Sequence, residues 1–218
     1  MTTFGAESFP WPVPSTRLEA MQRTWAAIGR SGTWCTGGER VRFAAMVRAA
    51  RSRGPRPPWV GGDEPADPLR RLADRIATDA GTIDRAWAAG VIGVLGDGRY
   101  VELVSVAASL VSLDVFCEAC GVELEPLPEP AAGEPSRIRP DDVGDDGAYV
   151  PMTVPKRGAN VARAMSLVPD AVRLFFGLEQ FFYASGADFE ELAWDRPLAR
   201  PQVELLAVRA SVVNECFY

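Results

Sequence analysis

The residues that could do chemistry in this chain are defined first by one that is missing: the sequence has no histidine. That excludes Ser-His-Asp and Cys-His catalysis, a histidine proton shuttle and any metal site that requires imidazole. Acid–base work falls to Asp, Glu, Tyr, Cys, Lys or Arg. Nucleophilic work falls to four cysteines, Cys35, Cys117, Cys120 and Cys216. Cys117-Glu-Ala-Cys120 has the CxxC spacing of dithiol redox centres. It ends an apolar stretch directly before Gly121, so the expected helix puts both thiols at a C-terminus. The negative end of the helix dipole disfavours a thiolate there, and core packing is the reading of this pair. Cys35, between Trp34 and Thr36, also reads as packing.

Three carboxylates stand out. Glu39 closes Thr36-Gly-Gly-Glu39, a capping box at the start of a helix. Glu102 follows Tyr100 at the head of the longest apolar stretch; it reads as a first-turn surface glutamate or, turned inward, as a buried acid. Glu204 lies just after Pro201, which suits a first helical position, so Glu204 complements the helix dipole. The stretch "RSRGPRPPW" reads as a solvated loop, with an anion-binding loop as the alternative. No metal-ligand or cofactor motif is present, and neither group is expected.

The elements that must position these residues are predicted to be helices throughout. "STRLEAMQRTWAAIGR" spaces Leu18, Met21, Trp25 and Ile28 at steps of three and four, with Ser15 as the expected N-cap. "TGGERVRFAAMVRAARS" is an Ala-rich helix that ends before Gly54 and Pro55. "PLRRLADRIATD" and "TIDRAWAAGVIGVL" are two more, followed by a turn at Asp97–Tyr100. The stretch from Tyr100 to Cys120 reads as one buried helix closed by Gly121. Residues 122–157 are rich in Pro, Gly and Asp and read as a linker or an ordered arm wrapped on the body, given Ile138, Tyr149, Val150 and Met152. The segments "ANVARAMSLVPDAVRLFFGLEQFFYAS" and "RPQVELLAVRASVVNECFY" are helical. The first carries the aromatic cluster Phe175, Phe176, Phe181, Phe182 and Tyr183, and the second an apolar stripe of Val203, Leu206, Ala210, Val213 and Phe217. The fold class is therefore all-α. Three parts follow: a helical unit with an N-terminal arm at 1–121, the linker at 122–157, and a shorter helical unit at 158–218.

Composition sets limits on partners. The net charge of −6 argues against a nucleic-acid surface and against an anionic membrane. No uninterrupted apolar run reaches a membrane-spanning length, and the N-terminus lacks the basic and apolar regions of a signal peptide. The cysteine spacing is not that of a secreted disulfide framework. A cytoplasmic, reducing setting is the expectation.

"ARPQVELLAVRASVVNEC" resembles the approach to the active site in the alkylhydroperoxidase (AhpD-like) and carboxymuconolactone decarboxylase superfamily. In the peroxidase branch a glutamate-bearing helix precedes Asn-x-Cys-x-x-Cys and then a histidine. Glu204 lies twelve residues before Cys216, as in that pattern. "NVARAMSLVPDAV" resembles the preceding helix, and "YVELVSVAASLVSLDVFCEACGVELEPLP" the helix that follows the site. A post-site helix ahead of a pre-site segment implies a tandem of two modules, with Glu39 in the first where Glu204 stands in the second.

The sequence departs from the pattern in both modules. It ends at Tyr218, before the second cysteine and the histidine, and residues 51–58 of the first module hold Arg and Pro without Cys or His. The resemblance implies thiol attack on a peroxide or disulfide, with Cys216 as the nucleophile and Glu204, or Glu39 in the first module, as the carboxylate. A straight helix of twelve residues rises about 18 Å, so Glu204 and Cys216 meet only if the helix breaks near Asn214 or a partner chain intervenes. With one cysteine present the thiol chemistry is expected to be degenerate. Two alternatives remain open: a noncatalytic binding or assembly module, and a carboxylate acid–base enzyme built around an apolar pocket. The resemblance and the apolar stripe together imply a small-molecule substrate and a homo-oligomer.

Overall fold

In a computed structural model of the chain, the described residues are 3–54, 64–155, 160–183 and 197–213. Among them are eight α-helices and a two-stranded ribbon, so the fold is all-α. The helices are α1 (Ser15–Ile28), α2 (Gly37–Ser52), α3 (Pro68–Thr78), α4 (Arg85–Leu95), α5 (Asp97–Cys120), α6 (Asn160–Arg163), α7 (Pro169–Phe182) and α8 (Arg200–Val213). The ribbon pairs β1 (Val143–Gly144) with β2 (Met152–Thr153) in antiparallel register.

Local chemistry accounts for most helix boundaries. Thr36 and Glu39 form the reciprocal capping box of α2, with Glu39 N–H donating to Thr36 Oγ1 at 3.2 Å and Thr36 N–H to Glu39 Oε2 at 2.8 Å. Asp67 caps α3 ahead of Pro68, and Asp84 caps α4 by accepting from the Trp87 N–H. Gly121 closes α5 at φ 69°, a left-handed conformation that costs glycine little.

Four expectations are corrected. Pro14, not Ser15, occupies the N-cap of α1, and no side chain caps it. Asp97–Tyr100 is the first turn of α5 rather than a separate turn, because Gly96, at φ 82°, already supplies the break from α4. The segment after 158 divides into α6 and α7, separated by turns over 164–168, with Pro169 taking the first helical turn of α7. The short β1–β2 ribbon lies inside a stretch with no strand pattern, where Thr153 N–H also donates to Ser166 Oγ.

Helix α5 is the centre of the bundle. By length and composition it is the one described helix apolar enough to cross a membrane, yet more than half of that stretch is buried inside the fold. It packs against α1, α2, α4 and α7. Leu103, Val106, Leu110 and Leu113 of α5 join Met21 and Ile28 of α1, Phe43 and Val47 of α2, and Leu174 and Leu178 of α7 in one core. Residues on both sides of the Pro-rich stretch thus contribute to the same core.

The beginning of that stretch is bound to the bundle by its backbone. Trp25 Nε1 donates to the Pro126 carbonyl at 3.1 Å, Arg48 Nη1 to that of Glu125 at 2.7 Å, and Ala131 N–H to that of Gly29 at 2.8 Å. Val150 and Met152 are buried, whereas Ile138 is 69% exposed and anchors nothing.

Candidate functional site

Glu204 is held at the first turns of α8. Tyr183, at the end of α7, donates its hydroxyl to Glu204 Oε2 at 3.0 Å, and Arg200, one turn earlier on α8, lies 3.6 Å from Oε1. The carboxylate is half-buried between a phenol and a guanidinium. Burial first, and then the Glu204 carboxylate, push the Tyr183 phenol up from its ordinary range. The phenol therefore remains a donor at neutral pH. Cys216 and Asn214 lie outside the described residues.

Glu39 is engaged twice. It completes the capping box, and its Oε1 accepts from Arg99 Nη2 at 2.6 Å across to α5. Partial burial pushes its carboxyl up, but the Thr36 hydrogen bonds and Arg99 outweigh it and leave it below the usual range. A carboxylate so anchored joins two helices and is poorly placed to exchange protons with a substrate.

The described thiols are not activated. Cys35, Cys117 and Cys120 are free and buried. Burial, assisted by Glu102, pushes Cys35 up to about 12. Burial and Asp114 push Cys117 up to about 11, and burial raises Cys120 as well. The CxxC pair faces the core at the last turn of α5, an arrangement opposite to that of a reactive dithiol.

Glu102 takes the inward orientation and is 1% exposed. Its Oε2 accepts from the Trp34 N–H at 2.6 Å, and Arg40 Nη1 of α2 lies 3.6 Å from its Oε1. Burial raises its pKa, opposed by Arg40 and the backbone donors. The surface reading fails because Trp34 settles over the first turn of α5. A Cβ at Gly98 would come within 2.4 Å of the indole, so the glycine admits the ring and the Trp34 backbone reaches Glu102.

Arg40 is the residue that periodicity makes visible but was not singled out. It lies in phase with Phe43, Ala44 and Val47 on the buried face of α2 and is itself 5% exposed. A charged residue inside an apolar stripe is a usable signal. Asp170 is a second omission. At the first turn of α7 it accepts from Thr33 Oγ1 at 2.8 Å and pairs with Arg173.

Of the "RSRGPRPPW" stretch, Arg51 is paired with Glu118 at 2.9 Å, while residues 55–59 lie outside the described residues. In the aromatic cluster, Phe182 packs edge-on against Phe116 of α5 at 5.0 Å between ring centroids, and Phe175 against Phe176 at 5.1 Å. An apolar cavity of about 360 Å³ is lined by Tyr100, Val104, Tyr149, Met152 and Met165, and neither Glu39 nor Glu102 reaches its wall. Among the described residues no group of His, Cys, Asp and Glu is arranged to hold a metal ion. Comparison of the chain with protein-family models, with curated proteins and with solved structures found no match.

Proposed function

We propose that the chain is an alkylhydroperoxidase/carboxymuconolactone-decarboxylase-like protein with degenerate thiol chemistry that acts on peroxides or small organic substrates through its second helical unit, with the first unit as a scaffold. The observation that carries this reading is the half-buried Glu204 carboxylate, hydrogen-bonded by Tyr183. Its counterpart Glu39 is committed to a cap and an ion pair, and the described thiols are held protonated by burial. The proposed reaction requires that the helix break near Asn214 or that a partner copy supply the thiol; Glu204 then accepts the Cys216 thiol proton. The thiolate then attacks the distal peroxide oxygen, the O–O bond breaks to release an alcohol after proton return, and the sulfur becomes a sulfenic acid. An external dithiol reduces it back.

Turnover of tert-butyl hydroperoxide with a dithiol reductant tests this. Glu204→Gln is expected to lower the rate by at least about tenfold, within the range of general acid–base catalysis, and Cys216→Ser to abolish it. Turnover no faster than the free-thiol background, or a rate indifferent to Glu204→Gln, refutes the proposal.

A second reading, an assembly module, is favoured by α8. None of its residues is buried, and Leu205, Leu206, Val208, Val212 and Val213 are each more than half exposed. Covering such side chains is worth on the order of several kcal/mol, which supports a homo-oligomer. A monomer in sedimentation at micromolar concentration counts against this reading.

A further inference from the structure

Between α1, α2 and α7 lies a cavity of about 350 Å³ whose charged lining is out of keeping with an acidic protein. Arg23, Arg30, Arg40 and Arg173 line it against a single carboxylate, Asp170. Two of the four arginines are occupied: Arg173 pairs with Asp170, and Arg23 lies 3.6 Å from Glu19. Arg30, at the exposed rim, makes no side-chain hydrogen bond or ion pair among the described residues.

Arg40 is the unusual member. Its guanidinium is almost wholly buried, yet among the described residues its one ionic partner is Glu102, at 3.6 Å and without a hydrogen bond. Arg40 Nε and Glu102 Oε1 are both buried without a hydrogen-bond partner. A guanidinium carries five N–H donors, and leaving a buried charged donor unsatisfied is costly. Arg40 lines the cavity, and its guanidinium makes no hydrogen bond among the described residues; such a group on a cavity wall is the arrangement that an anionic ligand completes.

The remaining wall defines the ligand's body. Ala20, Ala27 and Leu174 are apolar and mostly small. Gly177 sits inside α7, where glycine costs up to about 1 kcal/mol relative to alanine, and a Cβ there would meet nothing within 4 Å. Packing therefore does not demand that glycine; its effect is to keep the cavity open. Gly32 lays bare backbone on the Arg40–Glu102 pair, since a Cβ there would lie 2.6 Å from Arg40 Nη1 and closer still to Glu102 Oε1.

We propose that this cavity binds a small organic carboxylate, with its two oxygens on the Arg40 guanidinium and a short apolar body against Ala20, Ala27 and Leu174, facing Gly177. Carboxylate fits better than phosphate for three reasons. The planar guanidinium matches it in a bidentate pair. Asp170 on the same wall repels a dianion, and the apolar side gives no partner to further oxygens. The volume lies at the low end for ligand pockets, which restricts the body to a few carbon atoms or one ring. The site shares no residue with the Glu204–Tyr183 pair and stands or falls independently of it.

The test is a calorimetric titration of the full chain with butyrate, benzoate, inorganic phosphate and sulfate. Butyrate or benzoate is expected to bind at one site with a Kd of about 1 mM or tighter, and phosphate and sulfate at least about tenfold more weakly. Gly177→Leu, which fills the cavity from a position with free space, is expected to weaken carboxylate binding at least tenfold while keeping the thermal transition. Arg40→Met combined with Glu102→Gln, which removes both buried charges together, is expected to do the same. If that double variant fails to fold, Gly177→Leu alone decides. Equal or tighter binding of phosphate, no saturable carboxylate binding by about 10 mM, or binding indifferent to Gly177→Leu overturns the proposal.

Discussion

The state of the buried thiols gives a quantitative expectation for alkylation of the native protein. With Cys117 at about 11 and Cys35 at about 12, against an ordinary 9.0, the thiolate fraction at pH 7 falls by about 100-fold and about 1,000-fold, because each pKa unit is a factor of ten. A more basic thiolate is also a better nucleophile. With a Brønsted slope of about 0.45, that returns about 8-fold and about 20-fold. The net slowing is about 12-fold for Cys117 and about 50-fold for Cys35 relative to an ordinary thiol. Access slows both further: Cys35 is 0% and Cys117 2% exposed, so the reagent must wait for an opening of the fold. The measurement is iodoacetamide labelling at pH 7 under native conditions, resolved by peptide mass spectrometry so that Cys216 is scored separately, with glutathione as the reference. Labelling of Cys117 or Cys35 at or above the glutathione rate would show that the helix end and the burial do not control these thiols, and would reopen the CxxC pair as a redox centre.

Three further outcomes follow from the packing. Asp114→Asn removes one half of a buried fork in which Arg48 Nε and Nη2 donate to its two oxygens at 2.9 and 2.7 Å. It should cost about 3–5 kcal/mol in urea unfolding, and a loss under about 1 kcal/mol would mean that the pair is solvated. Thr36→Ala breaks the capping box of α2 and should cost about 0.5–2 kcal/mol by the same assay; an unchanged midpoint contradicts the cap. Asp97 is held low by the Arg139 hydrogen bonds, and Asp170 is held low because Thr33 and Arg173 outweigh its burial. A carboxyl with a depressed folded pKa contributes stability above its unfolded value and loses it as pH falls through the folded one. The urea midpoint should therefore drop as the pH falls below the ordinary aspartate range, and drop less in Asp97→Asn; an identical acid profile for that variant refutes the assignment.

The all-α class and most helix ends were legible because they depend on residues close in sequence. Thr36 and Glu39 are three apart, and Gly121 directly follows a helix. Core positions such as Leu18, Met21, Trp25 and Ile28 follow from apolar periodicity alone. The absence of histidine, read from composition, removes whole classes of catalysis without any fold. At the start of α5 two local signals competed, and the backbone break at Gly96 outranked the turn composition of the residues after it.

The candidate site divides along the same line. That Glu204 begins a helix is local information; that Tyr183 donates to it, from the end of α7, depends on how two helices meet. Glu102 shows the same difference most sharply. Its place near the start of an apolar helix permits either orientation, and burial is chosen by Trp34 and Arg40, more than sixty residues earlier, which supply a hydrogen bond and a counter-charge. An ionised side chain enters a core only when such partners arrive with it. Periodicity marks Arg40 as inward-facing, but the cavity on which it opens forms only where α1, α2 and α7 pack. Sequence alone determined the all-α class and the caps set by neighbouring residues, and it excluded histidine chemistry; tertiary packing decided which charges are buried, which donors are left unused and where there is room for a ligand.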